Sequence, residues 1–195
     1  MMKRRRPSER KVNLEDLDDR TLRWNVYLTQ LLTLIMGLAV LWLQGRSPAA
    51  LLRAPDDAGV WLWAAGFAAL VLLVDWQITR FVPKDMLDDG GVNERIFRNL
   101  PVWHIAVLCL AVAVCEELLF RGAIQHAIGP YWTSVLFAAI HVRYLRHWLM
   151  TGLVFAISYG LGWICIRTGS LWTPILAHFL IDFCLGCMVR FRREP

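Results

Sequence analysis

A chain of 195 residues that is 57% hydrophobic and carries ten Trp is too apolar for a water-soluble domain and has the composition of one membrane domain. Its formal net charge of +5 does not make it a nucleic-acid binder, because the basic residues gather at the ends of apolar runs, where they act as orientation signals. The five cysteines, Cys109, Cys115, Cys165, Cys184 and Cys187, all lie inside apolar segments, and an odd number in that setting is not a disulfide framework.

In chain order, residues 1–23 form a polar tail that opens with Lys3-Arg4-Arg5-Arg6. Residues 24–76 hold two apolar runs. Trp24 to Leu43 is long enough to cross a hydrocarbon core of about 30 Å as a helix, and too long and too far from the start for a signal-peptide core. Val60 to Trp76 follows a Pro-containing loop, Gln44 to Asp57. Residues 77–100 are a polar connector, where Pro83-Lys84-Asp85 and Asp88-Asp89-Gly90-Gly91 mark turns and Val92 to Leu100 fits a short interfacial helix.

Residues 101–190 contain the remaining runs. The third span starts at Pro101, and Gly129-Pro130 stops it. The fourth, Tyr131 to about Leu145, is short for a crossing and is expected to be tilted or partly re-entrant. The fifth, His147 to Ile166, offers Gly152, Ser158, Gly160 and Gly162 as small surfaces for close packing. The sixth is Leu171 to Val189, where Cys184 and Cys187 read as packing residues despite their metal-like spacing. The predicted fold is an all-α, polytopic membrane bundle of about six helices. Six crossings put about 17 Lys and Arg on the side of the termini and about 4 on the other, so both termini are expected in the cytoplasm, with the protein in the inner membrane.

Ionisable residues inside these runs carry the functional signal. Such groups at bilayer depth cost on the order of 2.5–3.5 kcal/mol each on insertion scales and need partners. Glu117 and Arg121 are four apart and can pair on one helix face. Glu116 points about 100° away from Glu117 and has no partner on its own helix, as expected of a binding or catalytic group. Phe137 and His141 share the same spacing, as do His178 and Asp182. At 1.5 Å per residue, Glu116 lies about 18 Å from Ile128, His141 about 15 Å from Tyr131, and His178 and Asp182 about 10 and 16 Å from Leu171, which places them in one layer. One site is expected.

The residue types leave two chemistries open. A glutamate among imidazoles, screened from water, can act as a general base on a water that attacks a peptide carbonyl, with histidine donors stabilising the oxyanion. Alternatively His141, His178 and Asp182 are candidate ligands for a divalent metal such as zinc, with an open water position. There is no His-Glu-x-x-His helix and no Gly-x-Ser-x-Gly elbow.

Glu116-Glu117-x-x-x-Arg121, Phe137-x-x-x-His141 and His178-x-x-x-Asp182, in this order on successive helices, resemble the three-motif pattern of the CAAX-protease and bacteriocin-processing (CPBP) family of intramembrane endopeptidases. The resemblance covers about residues 91–190, and the stretch from Asp89 to Arg95 is also similar to bacterial members. It implies that Glu116 activates water, that His141 shares that water, that His178 and Asp182 stabilise the oxyanion, and that Glu117 and Arg121 are a supporting ion pair beside Phe137. The eukaryotic members carry Asn where this chain has Asp182, and only a protonated Asp donates a hydrogen bond as Asn does. No cofactor is favoured. The partners implied are the lipid bilayer and a membrane-associated protein or peptide, rather than a prenylated CAAX protein. The alternatives are a non-catalytic bacteriocin-immunity or scaffold protein and a proton-coupled transporter, although the repeated halves and broken helices of a transporter are not visible.

Overall fold

The computed structural model of the protein describes residues 18–192 apart from Asp56, Asp88 and Asp89, so most of the expected polar tail and part of the Asp88-Asp89 turn lie outside the described residues. The main helices are α1 (Asp19–Leu43), α2 (Pro48–Leu51), α3 (Gly59–Phe81), α4 (Val92–Phe97), α5 (Val102–Glu117), α6 (Gln125–Ile140), α7 (Trp148–Thr168) and α8 (Trp172–Phe191), with no strand among the described residues. A π-helical segment, Leu118–Ile124, joins α5 to α6 without a break. Among the described residues, five continuous helices are long and apolar enough to cross a membrane. The protein is a helical membrane bundle.

The longest of these, Val102–Ile140, is broken where the sequence predicts. Gly129 adopts φ 76° and ψ 170°, a conformation open essentially to glycine alone, and Pro130 then removes a backbone donor. The hydroxyls of Thr133 and Ser134 donate to the carbonyls of Gly129 and Pro130, both at 2.7 Å, and so satisfy acceptors at the kink. Counting the two sides of this kink separately divides the five candidate spans into six segments. The part of α6 after Gly129 ends at Ile140 rather than near Leu145, and its length of about 16 Å is well short of a hydrocarbon core. His141 is therefore not inside a helix. It is the C-terminal cap, at φ −79° and ψ 56°, and leads into a 3₁₀ turn, Val142–Tyr144.

Helix ends elsewhere also move. Helix α1 starts earlier than Trp24 because Asp18 caps it, accepting from the Thr21 N–H at 2.8 Å. Helix α3 runs on to Phe81. The connector forms α4, which buries Ile96 and, just beyond it, Leu100 against Ile105 and Leu22. Of the small residues on α7, Gly160 receives the Phe67 ring of α3, and Gly162 faces Gln125 and Pro130 of α6. Gly152 meets nothing close and has no packing role.

Helix α1 lies directly on the π segment. A Cβ at Gly37 would stand 3.3 Å from the Cα and N of Leu119, so the backbones approach as closely as a glycine allows. Gln44 donates to the Ala123 carbonyl at 3.0 Å, and Arg46 donates to the Gly122 carbonyl. Gly37→Leu is expected to overpack this contact and cost about 1–3 kcal/mol, read as a lowered thermal midpoint in detergent.

Candidate functional site

The π segment follows Glu117 immediately, and six of its seven residues, Leu118 to Ala123, are buried. A wider turn at this point sets Arg121 beneath the last turn of α5. Its Nη1 donates to Glu117 Oε1 at 3.0 Å, and both side chains are fully buried. Arg121 Nη2 crosses to α7, donating to the Ser158 carbonyl at 2.9 Å and approaching its hydroxyl at 3.0 Å. Its guanidinium carbon also lies 5.1 Å from the centre of the Phe137 ring, within cation–π range. Phe137 in turn meets Phe120 edge-on at 4.9 Å.

Helix α8 enters through His178. Its Nδ1 is 2.7 Å from Glu117 Oε1 and donates to that carboxylate, so one oxygen accepts from both Arg121 and His178. On the other side of the ring, Nε2 faces Asp182 Oδ2 at 3.3 Å. An Nε2 lone pair and an ionised carboxylate would repel each other, so a proton belongs between them, on the imidazole or on the acid. Asp182 keeps about a third of its side chain accessible, against about a tenth for His178.

Glu116 is only partly buried and points elsewhere. Its Oε1 accepts from Gln30 Nε2 of α1 at 3.1 Å, and its charge lies within electrostatic range of His178, His141 and Asp182. His141 is held by its own turn. Its Nδ1 donates to the Phe137 carbonyl at 2.7 Å, which caps the end of α6 and leaves Nε2 as the ring nitrogen available to accept. The His141 and Phe137 rings are 4.5 Å apart.

The structure thus brings Glu117, Arg121, Phe137, His178 and Asp182 into direct contact and places Glu116 and His141 beside them. The zinc set is not assembled. Among the described residues no group of three His, Cys, Asp or Glu is arranged to hold a metal, both ring nitrogens of His178 already face carboxylates, and His141 Nδ1 is taken by a carbonyl. Cys184 and Cys187 carry no such group either.

Comparison with known proteins gives this arrangement a family. Residues 98–184 match the family described as type II CAAX prenyl endopeptidase Rce1-like. A protein of Bacillus subtilis strain 168 named "Uncharacterized protein YpbD" is 42% identical over 132 residues, which cover 68% of this chain and 69% of that protein. The chain belongs to this family. All seven site residues predicted from sequence lie inside the family-matched segment. No solved structure matches it significantly.

Two residues at the site escaped sequence analysis. Ser158 reads as a small packing residue on α7, yet its carbonyl and hydroxyl meet the buried guanidinium. Gln30 lies on a helix outside the family-matched segment; its only local signal is a long uncharged polar side chain within an apolar span. Arg121→Ala would strand Glu117 in the bundle interior, a loss of about 3–5 kcal/mol by analogy with buried pairs in soluble proteins. Lower expression and a lower thermal midpoint are the expected outcome, and wild-type stability would show that Glu117 does not depend on the pair.

Proposed function

We propose that the protein is an intramembrane endopeptidase that hydrolyses a peptide bond with a water activated by Glu116. One observation carries the reading. Glu117 is fully buried and accepts from Arg121 and His178 through Oε1, its Oε2 being sealed in the interior, whereas Glu116, one residue away, is only partly buried and accepts from Gln30 through Oε1, with no protein partner for Oε2 among the described residues. A carboxylate that stays accessible, with one oxygen fixed and the other open, beside a histidine nitrogen able to accept, is what a general base on water requires.

The steps follow from the donors and acceptors. A water donating to Glu116 and His141 Nε2 points its own lone pair at a substrate carbonyl. Glu116 takes a water proton as the oxygen attacks the carbonyl carbon, and the carbonyl π electrons move to its oxygen. The proton held between His178 and Asp182 is then available to the oxyanion. As the C–N bond breaks, the protonated Glu116 returns its proton to the leaving amine, so the enzyme ends as it began. Asp182 fills the donor role because the shared proton lets it act as an amide would.

The substrate we favour is a membrane-associated peptide or the membrane-proximal segment of another protein, rather than a prenylated CAAX protein. We infer that both termini lie in the cytoplasm, the side to which six crossings assign most Lys and Arg. Arg121, counted from sequence on the opposite side, is consumed in the buried ion pair and leaves that count, which strengthens the bias. No metal is needed for these steps.

Glu116→Gln preserves shape and removes the base, so turnover is expected to fall at least ~10²-fold. The substrate is sought by comparing membrane proteomes of wild-type and Glu116→Gln strains for a precursor that accumulates. Unchanged turnover by a well-folded Glu116→Gln protein would end the mechanism. Activity is also expected to survive exhaustive chelation with metal far below one equivalent. Loss that is restored by a single metal ion would replace the glutamate-only reaction with a metal-assisted one.

A further inference from the structure

Among the described residues, Gln30 is the side chain that hydrogen-bonds Glu116 from outside the family-matched segment. Its surroundings are unusual for a glutamine on a membrane helix. Leu28, Leu31, Leu32 and Ile35 of the same helix are exposed and lipid-facing, whereas Gln30 is only 6% exposed. Its Nε2 donates to Glu116, while its Oε1 is buried with no partner. An amide satisfied at both ends would be explained by its own hydrogen bonding. This amide is satisfied only at the end that touches the carboxylate, and its burial therefore serves the carboxylate.

The position of α1 makes that contact specific. Gly37 lies seven residues after Gln30, two helical turns along the same face, and is seated against the Leu119 backbone. Further along, Gln44 and Arg46 hold the Ala123 and Gly122 carbonyls of the π segment. These anchors tie α1 to the segment that follows Glu116 and fix the depth at which Gln30 stands. The donor cannot slide along the bundle without breaking them.

Resting on the endopeptidase reading above, we propose that Gln30 is a positioning residue: it locks the Glu116 carboxylate through Oε1 so that Oε2 is presented to the lytic water. The site is then completed by the first membrane helix. Gln30 itself touches neither water nor substrate in this assignment, so its removal acts on turnover rather than on substrate capture. Gln30→Leu retains most of the volume and removes both amide atoms. Gln30→Asn retains the amide but withdraws it by one methylene.

The full chain is used in lipid vesicles, with a quenched-fluorophore library of apolar peptides as the probe. Gln30→Leu is expected to lower kcat roughly 10- to 100-fold with KM unchanged, the scale of a misplaced catalytic group. In a Glu116→Gln background the same change should have no further effect, because its action passes through Glu116. Infrared difference spectra give a readout independent of turnover. Recorded at acidic pH, where Glu116 is protonated, the carboxyl C=O band that disappears in Glu116→Gln should move to higher wavenumber in Gln30→Leu, as a protonated carboxyl does when its carbonyl oxygen loses a donor. Wild-type kcat, a loss that adds fully to that of Glu116→Gln, or an unmoved band would each overturn the assignment. If Gln30→Leu does not assemble, Gln30→Asn supplies both readouts. If the wild type cleaves nothing, or Glu116→Gln turns over normally, the proposed reaction fails. The infrared band then decides by itself whether Gln30 holds Glu116.

Discussion

A fully buried carboxylate, Glu117, organises the centre of this bundle. Taking an ionised carboxylate out of water costs several kcal/mol even after relaxation, and only close, well-directed donors offset it. Arg121 and His178 both supply them to the same oxygen. Because Arg121 also reaches Ser158 and lies against Phe137, one charge pair links α5 and the π segment to α6, α7 and α8. Helices in a bilayer gain no hydrophobic driving force from contact with each other, so close packing and polar ties of this kind decide which faces meet. The orientation of Glu116 follows directly, since it is the adjacent residue on α5, turned about 100° from the anchored one.

The π segment belongs to the same constraint. Wider turns of this kind are rare and occur frequently at functional sites. Here Gln44 and Arg46, from the end of α1 and the turn after it, cover the carbonyls of Ala123 and Gly122. The side chains that stabilise the irregular helix are thus carried by the element that also supplies Gln30. Perturbation of α1 is transmitted to the site by two routes, through the carboxylate and through the helix that bears it.

What the sequence revealed and what it concealed divide along physical lines. The Glu117–Arg121 and His178–Asp182 contacts are four-residue spacings on one helix, which periodicity alone exposes. The break at Gly129-Pro130 is equally local, because a glycine-only conformation followed by an imide announces itself. The end of α6 is not marked in this way. No Gly or Pro lies between Tyr131 and Leu145, so the apolar run conceals a helix that stops at Ile140, and His141 is displaced from a helix face to a cap. The π segment has no compositional signature. The bridge from His178 to Glu117 spans 61 residues, and that from Gln30 to Glu116 spans 86, so neither could be read from spacing. Each exists only because the helices carrying these residues pack together.

The divided protonation of His178 connects the anchored and the open halves of the site. Glu117 Oε1 accepts from Arg121 and from His178, and that second contact fixes a proton on His178 Nδ1. With Nδ1 committed, Nε2 meets Asp182 either as the second N–H of an imidazolium or as the acceptor of a protonated acid. Both states place one mobile proton at the more accessible end of the pair. An Asn at this position would supply a fixed amide donor instead, with no exchange of charge. An Asp makes the donor conditional on the chain of charges behind it, which runs from Arg121 through Glu117 to the imidazole. The buried ion pair therefore does more than hold helices together: it sets which atom of His178 can face Asp182 with a proton between them.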